Sequence, residues 1–236
     1  MFPFGDLAKT WWTENGPLDA LRGMNSLRMH ILARHLAPKG RMAGKSVLDV
    51  GCGGGMASEA LARLGAHVTG TDPDLRLIRA ARAHAAKSRL PIRYRHGLVE
   101  NIAESFDLVL LLDVVEHVED PARIIAQATR CLNPGGILAL TSVSRNAFSW
   151  GFGILAAEYL LGWVPRGTHD WNKFRNPSDI LPHLRACGLE CSPPVGLVYQ
   201  PTDGAWHEDP HALSGNWMII ATRPCERNHK HPRRAR

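Results

Sequence analysis

Two clusters in this 236-residue chain combine residue types that can do chemistry. The first is Asp49-Val50-Gly51-Cys52-Gly53-Gly54-Gly55. Only glycine lets a backbone turn so tightly and approach a ligand with no Cβ in the way. A dinucleotide fingerprint needs a third glycine five positions after the first, for close helix packing, and that position is Met56. The glycines fall instead at alternate positions, 51, 53 and 55, behind the acidic Asp49. Asp72 follows Gly51 by 21 residues, where a carboxylate can accept both hydroxyls of a ribose or cap a helix that starts near Pro73. The second cluster is Asp113-Val114-Val115-Glu116-His117, expected at the start of a helix. There, two carboxylates and an imidazole suit Mg2+ or another divalent ion tolerant of oxygen ligands. The alternative is that Glu116 and His117 are ordinary polar residues near a helix N-terminus, where the dipole favours glutamate.

The elements that must position these clusters are legible from periodicity. Residues 45–50, KSVLDV, form an apolar run that ends in the glycines, and Met56, Leu61 and Leu64 then recur at helical spacing. The alternation continues with strands at 66–71, 92–95 and 106–112 and helices at 74–86 and 121–132, which favours right-handed crossovers and a mostly parallel sheet. LNPGG at 132–136 carries strong turn chemistry and precedes a fifth strand, ILALTS. Strand 106–112 brings Leu112 and Asp113 to the carboxyl edge, where open α/β sheets bind ligands. Beyond the fifth strand, residues 147–164 are almost wholly apolar, but Glu158 and three glycines interrupt a stretch already short for a bilayer span. A helix near SDILPHLRACG and two strands at 195–200 and 216–223 complete the chain, with a polar excursion between the strands.

Length fits one α/β domain, and 44% apolar against 21% charged residues excludes disorder and fibrous repeats. The net charge of +6 is concentrated at the end: from Arg223 onward six basic residues stand against Glu226, which is +5 of the total. The body is therefore nearly neutral and lacks the basic stripe of a nucleic-acid binder. The tail, 223–236, reads either as a solvated, disordered end or as a weak contact for anionic lipid. Five cysteines with neither a CxxC pair nor zinc spacing fit a reducing compartment. The N-terminus shows no basic region followed by an apolar one, so no secretory signal is visible and a cytoplasmic setting is expected.

The alternate glycines behind Asp49 resemble the D/E-x-G-x-G-x-G pattern of class I S-adenosylmethionine-dependent methyltransferases, and LNPGG resembles the L-x-P-G-G element of that superfamily. More closely, residues 4 to 222 are similar to the ubiquinone biosynthesis O-methyltransferases. Trp11-Trp12, NSLR (25–28), VLDVGCGGG (47–55) and EHVEDP (116–121) carry the resemblance, and SRN (144–146) with AAEYLLGWVPRGTHDWNKF (156–174) is the most specific part. It implies a Rossmann-like, seven-stranded, mostly parallel sheet with helices on both faces, an N-terminal helical extension and a helical lid insertion at about 146–175. It also implies a single domain over 1–222. Arg28 would meet the cofactor's methionine carboxylate, Gly51, with Asp49, Gly53 and Gly55, would line its amino-acid end, Asp72 would hold the ribose, and the backbone of Leu112 would lie beside the sulfonium. A divalent metal at Asp113, Glu116 and His117 is likewise implied. The chain departs from the family in having Asp113 where glutamate is usual, which withdraws the charge by one methylene, and in its basic tail.

Methyl transfer from a sulfonium is an in-line displacement, so the acceptor oxygen must be held opposite the methyl and made anionic. A phenol's pKa is about 10, so its deprotonation matters. A metal can stabilise the phenolate, or His117 or His169 can serve as general base, and the sequence leaves both routes open. The apolar stretch 147–164, with Trp150, Phe152 and Trp163, is either a lid over a polyprenyl chain that dips into the membrane interface, or a buried core helix. The resulting expectation is O-methylation of a polyprenylated catechol or quinol, peripheral contact with the inner face of the membrane through lid and tail, and contact with other biosynthetic enzymes. The competing readings are a methyltransferase for another small phenolic or hydroxy compound, and a cofactor-binding scaffold without turnover.

Overall fold

The computed structural model describes residues 4–14, 16, 18–36, 42–145 and 174–225. Among the described residues, nine strands form one sheet in the order β3-β2-β1-β4-β5-β9-β7-β8, with β6 paired to β9 off this path. The parallel half contains β1 (Ser46–Val50), β2 (His67–Asp72), β3 (Arg93–His96), β4 (Phe106–Leu112) and β5 (Leu132–Val143). β9 (Asn216–Thr222) runs antiparallel to β5, and β7 (Val195–Gln200) and β8 (Ala205–Asp209) continue antiparallel beyond it. All seven expected strands are present. The two additional ones are the two-residue β6 (Glu190–Cys191) and β8, which occupies the excursion that reads as merely polar in sequence.

The central strands are continuous apolar runs because both faces of the sheet are covered. Side chains of a strand alternate between the faces. Leu48, Val109, Leu111, Leu138, Leu140, Trp217 and Ile219 therefore join one core, packed on α4 (Pro121–Arg130) and α5 (Pro177–Ala186) through Ile125, Ile180 and Leu184. Val47, Leu108, Leu110, Ala139, Met218 and Ile220 face the other core, packed on α1 (Asp19–Leu36) and α2 (Met56–Arg63) through Met24, Leu32 and Leu61. α3 (Leu75–Lys87) packs Ile78, Ala81 and Ala85 on Cys52 and Tyr94. A 3-10 turn, Phe4–Lys9, precedes α1 and supplies the rest of the N-terminal extension. The expected lid falls outside the described residues except for its last two, Phe174 and Arg175, and so does most of the basic tail.

Two local expectations change. LNPGG does not close a turn before β5 but forms the strand's own beginning. The pairing with β4 jumps from Phe106↔Leu132 to Leu108↔Ile137, and Gly135, at φ +75°, absorbs the extra residues of the bulge. Asp113, Glu116 and His117 do not open a helix. Asp113 takes a left-handed φ of +56°, the His117 amide closes a turn on the Val114 carbonyl, and α4 begins only at Pro121. Asp120 caps that helix by accepting from the Arg123 amide at 3.0 Å, with Pro121 in the first turn, where its missing N–H costs nothing.

Among the described residues, no helix is long and apolar enough to cross a membrane.

Candidate functional site

β1 pairs with β2 on one side and β4 on the other, so the chain's course through the sheet reverses at this point. Such a reversal opens a crevice at the carboxyl ends of the strands. Val50 lies level with Thr71 and Leu111, which puts Gly51, Asp72 and Leu112 side by side at that edge. Gly51 is fastened there by its amide, which donates to the Thr71 carbonyl at 2.8 Å.

The glycine loop needs its composition at Gly53 and Gly55. Gly53 has φ +55°, and a Cβ built on it would stand 2.6 Å from the Trp11 ring. Gly55, the residue before α2, has φ +91°, and a Cβ there would meet the Tyr94 hydroxyl at 2.2 Å. Asp72 completes the loop from the next strand. One carboxylate oxygen accepts the Gly53 amide at 2.9 Å and the other accepts the Asp74 amide at 2.8 Å. The helix-capping alternative passes to Asp74, which accepts the Arg76 amide and starts α3. Each Asp72 oxygen keeps a further lone pair for a ribose hydroxyl. Burial pushes this carboxyl upward, against the pull of the two amide donors.

Asp49 does not point into the crevice. Its carboxylate accepts the Ser58 hydroxyl at 2.6 Å, tying β1 to α2 beneath the loop. Burial, with the nearby Asp72 charge adding to it, pushes its carboxyl up to about 6 from the ordinary 3.8. The native state thus retains a proton that the unfolded chain has already released, and stability falls as pH rises from about 4 through 6. Asp49→Asn keeps the shape and an acceptor for Ser58 but removes the titration. Urea unfolding at pH 4.5 and pH 7 is expected to show the wild type losing about 2 kcal/mol more than the variant over this interval. Parallel pH profiles would count against the buried proton.

Arg28 is 2% exposed on the inner face of α1. Its Nη2 donates to both carboxylate oxygens of Asp113, at 2.7 and 2.6 Å, while its Nε is buried and has no hydrogen-bond partner. Thr141 on β5 holds Asp113 from the other side, donating its hydroxyl at 2.8 Å and accepting the Asp113 amide at 3.1 Å. Glu116 is buried and accepts the Ser142 hydroxyl at 3.0 Å. Burial, then the charge of Asp113, pushes its carboxyl well up from the ordinary 4.5. His117 lies exposed at the end of the turn. These residues do not fit the ligand set of an ion as they stand. Asp113 is committed to Arg28 and Thr141 and Glu116 to Ser142, and among the described residues no group of three His, Cys, Asp or Glu side chains is placed to hold a metal.

The structure therefore gathers Gly51, Gly53, Gly55, Asp72, Leu112 and Arg28 around one edge of the sheet, with Asp113 joined to Arg28, and directs Asp49 beneath it. His169 lies outside the described residues. Thr141, Ser142 and Ser58 are not singled out by the sequence, because a lone hydroxyl on a strand or helix carries no pattern. Trp11 has a signal, the Trp11-Trp12 doublet, without a role attached to it.

Residues 48–140 match the model of a methyltransferase domain family. The ubiquinone biosynthesis O-methyltransferase of Methylobacterium sp. (strain 4-46) is 41% identical over 234 residues, covering 94% of this chain and 93% of its own length. That of Cereibacter sphaeroides (strain ATCC 17025 / ATH 2.4.3) is 37% identical, covering 94% of each. Among solved structures, the magnesium protoporphyrin IX methyltransferase of Synechocystis PCC 6803 with bound SAH superposes at a TM-score of 0.64, with 18% identity, over 85% of this chain and 84% of its own. The [4+2]-cyclase SpnF superposes at 0.60, with 19% identity, over 84% of this chain and 80% of its own. Two proteins named for such different chemistries share the fold, so the architecture alone does not select a reaction.

Proposed function

Since the chain belongs to the ubiquinone biosynthesis O-methyltransferase family and is an S-adenosylmethionine-dependent O-methyltransferase of that pathway, we propose that its acceptor is a phenolic hydroxyl of a polyprenylated catechol or quinol. One observation carries the reading of the site: Asp72 reaches from β2 to the Gly53 amide, so the acidic residue and the glycine loop form one continuous surface for a nucleoside and its amino-acid arm. S-adenosylmethionine, when bound, would supply an activated methyl on a sulfonium, which the acceptor oxygen would attack in line, the C–O bond forming as the C–S pair leaves with sulfur.

The chain's own residues then have separable tasks. Asp72 accepts the ribose hydroxyls, Arg28 turns its Nε and remaining guanidinium donors to the methionine carboxylate, and the positive φ of Gly51, Gly53 and Gly55 turns the loop so that its backbone borders the arm. The Leu112 backbone borders the reacting methyl, and Asp49 holds β1 and α2 at the spacing the loop requires. Holding donor and acceptor in near-attack geometry lowers the barrier by about 7–11 kcal/mol in favourable cases. The hydroxyl's proton goes to a histidine base, His117 or His169. The divalent ion implied by the family's motif has no step in this account, because Asp113 and Glu116 are engaged elsewhere.

Residues 1–222 act as one catalytic domain. The apolar segment 147–164 covers the prenyl chain at the cytoplasmic membrane face, and the basic tail 223–236 meets anionic lipid or neighbouring biosynthetic enzymes. The test is transfer of labelled methyl from S-adenosylmethionine to a short-chain prenylated catechol, before and after EDTA and with Mg2+ restored. Label on the catechol oxygen is the expected result, and transfer indifferent to EDTA assigns the proton to histidine. Loss of transfer on chelation and its return with Mg2+ would require Asp113 to leave Arg28 for a metal. Cofactor binding without label on any catechol would remove the phenolic acceptor.

A further inference from the structure

Residues 4–13 lie against the glycine loop and are fastened there by several independent contacts. Leu7, in the 3-10 turn, packs with Trp11, Leu18, Met56 and Leu77, which joins the segment to the starts of α2 and α3. Asp6 accepts from Arg76 at 2.9 Å. Trp12 donates its Nε1–H to the Gly54 carbonyl at 3.0 Å and stacks on His84, with centroids 3.6 Å apart and planes within 3°. His84 is in turn held by the buried Glu59 at 2.6 Å.

These anchors hold Trp11 against the loop. A Cβ built at Gly53 would stand 2.6 Å from its Cη2 and Cζ2, and one at Gly54 would stand 2.4 Å from its Cγ and Cδ1. The five-membered and six-membered rings thus both approach the loop glycines, and Nε1 is bonded between Cδ1 and Cε2, two of the ring atoms nearest those positions. Trp11 is 7% exposed, and its Nε1 is buried with no hydrogen-bond partner. A buried N–H without an acceptor is unfavourable, and indole is a donor only. Trp12, one residue on, has satisfied its own donor with the nearby Gly54 carbonyl. Among the described residues, the other buried side-chain nitrogens without a partner are Nε of Arg28, at this site, and Nε of Arg175.

We propose that Trp11 is a cofactor-binding residue, its Nε1–H donating to an oxygen of S-adenosylmethionine bound along Gly51–Gly55, so that the N-terminal segment forms one wall of the cofactor site. The inference rests on the reading of that loop as the cofactor's seat. The ligand presents carboxylate and ribose oxygens, and either satisfies the donor. In Trp11→Phe a ring still covers Gly53 and Gly54 while the N–H is gone. Because no hydrogen bond is lost in the ligand-free chain, its Tm stays at or above the wild-type value. S-adenosylhomocysteine titrated by calorimetry binds the variant about tenfold more weakly, which is ~1.4 kcal/mol. Unchanged affinity in the variant, with or without a lower Tm, makes Trp11 a packing residue and overturns the proposal. Should the variant not fold, hydrogen exchange at the Trp11 indole in the 15N-labelled wild type decides: slowing on addition of S-adenosylhomocysteine supports the bond, and an unchanged rate overturns it. A wild type that does not bind S-adenosylhomocysteine removes the cofactor reading first, and this inference with it.

Discussion

Arg28→Met is expected to weaken S-adenosylhomocysteine binding about a hundredfold and to cost the ligand-free protein about 3 kcal/mol. The two losses have different origins. Stability falls because Asp113, held in a left-handed turn by Thr141, keeps its charge and loses its counter-ion. The cost belongs at the low end for a broken buried pair, because the Asp113 side chain retains 26% exposure to water. Affinity falls because the guanidinium that already grips Asp113 through Nη2 also presents the unpartnered Nε, and a charge-assisted bond to a carboxylate is worth about 1.5–3 kcal/mol. Arg28→Met combined with Asp113→Asn separates them. Removing both charges restores much of the stability measured by urea unfolding and none of the affinity measured by calorimetry. If the single variant binds S-adenosylhomocysteine like the wild type, Arg28 serves Asp113 alone and the carboxylate is held elsewhere.

The Arg28–Asp113 pair also marks where the sequence stops being informative. The places of the alternate glycines and Asp72 are legible because they are local, a tight turn and a strand end at a fixed separation, whereas the tie of Asp49 to Ser58 on α2 is not. The carboxyl edge at Leu112 is legible for the same reason. Asp113, by contrast, reads as the first of three convergent ligands because a D-x-x-E-H spacing matches one helical turn. A single left-handed residue and a helix cap seven positions later replace that helical turn, and the partner that claims Asp113 lies 85 residues away on α1. Neither fact leaves a trace in local periodicity. LNPGG deceives in the opposite sense, since turn chemistry there serves a bulge within β5. β8 is hidden because all five of its residues are half-buried at a sheet edge, which gives no alternation to read. Trp11 is visible as half of a doublet, but only contact with Gly53 and Gly54 gives it a place in the site.

Asp72→Asn tests the remaining half of the cofactor site, and its expected effect is a loss of S-adenosylhomocysteine affinity between tenfold and a hundredfold. The change is isosteric, so the argument is about donors and acceptors alone. Asp72 accepts the Gly53 amide on one oxygen and the Asp74 amide on the other. An amide side chain has only one oxygen, and whichever way it is turned its NH2 faces one of the two backbone N–H groups. One buried donor is therefore orphaned, at about 1–3 kcal/mol, and the glycine loop shifts from its seat on β2 if that donor is Gly53. The ribose loses in addition an ionised acceptor for its hydroxyls. A ligand change isolates this second effect. In the wild type, the 2′-deoxy analogue of S-adenosylhomocysteine binds more weakly than the parent because a charged hydrogen bond is missing. In Asp72→Asn, parent and analogue are expected to bind nearly alike, since the partner of that hydroxyl is already impaired. A 2′-deoxy penalty of full size in the variant would mean that Asp72 only braces the loop, with the ribose recognised by another group at the carboxyl edge of the sheet.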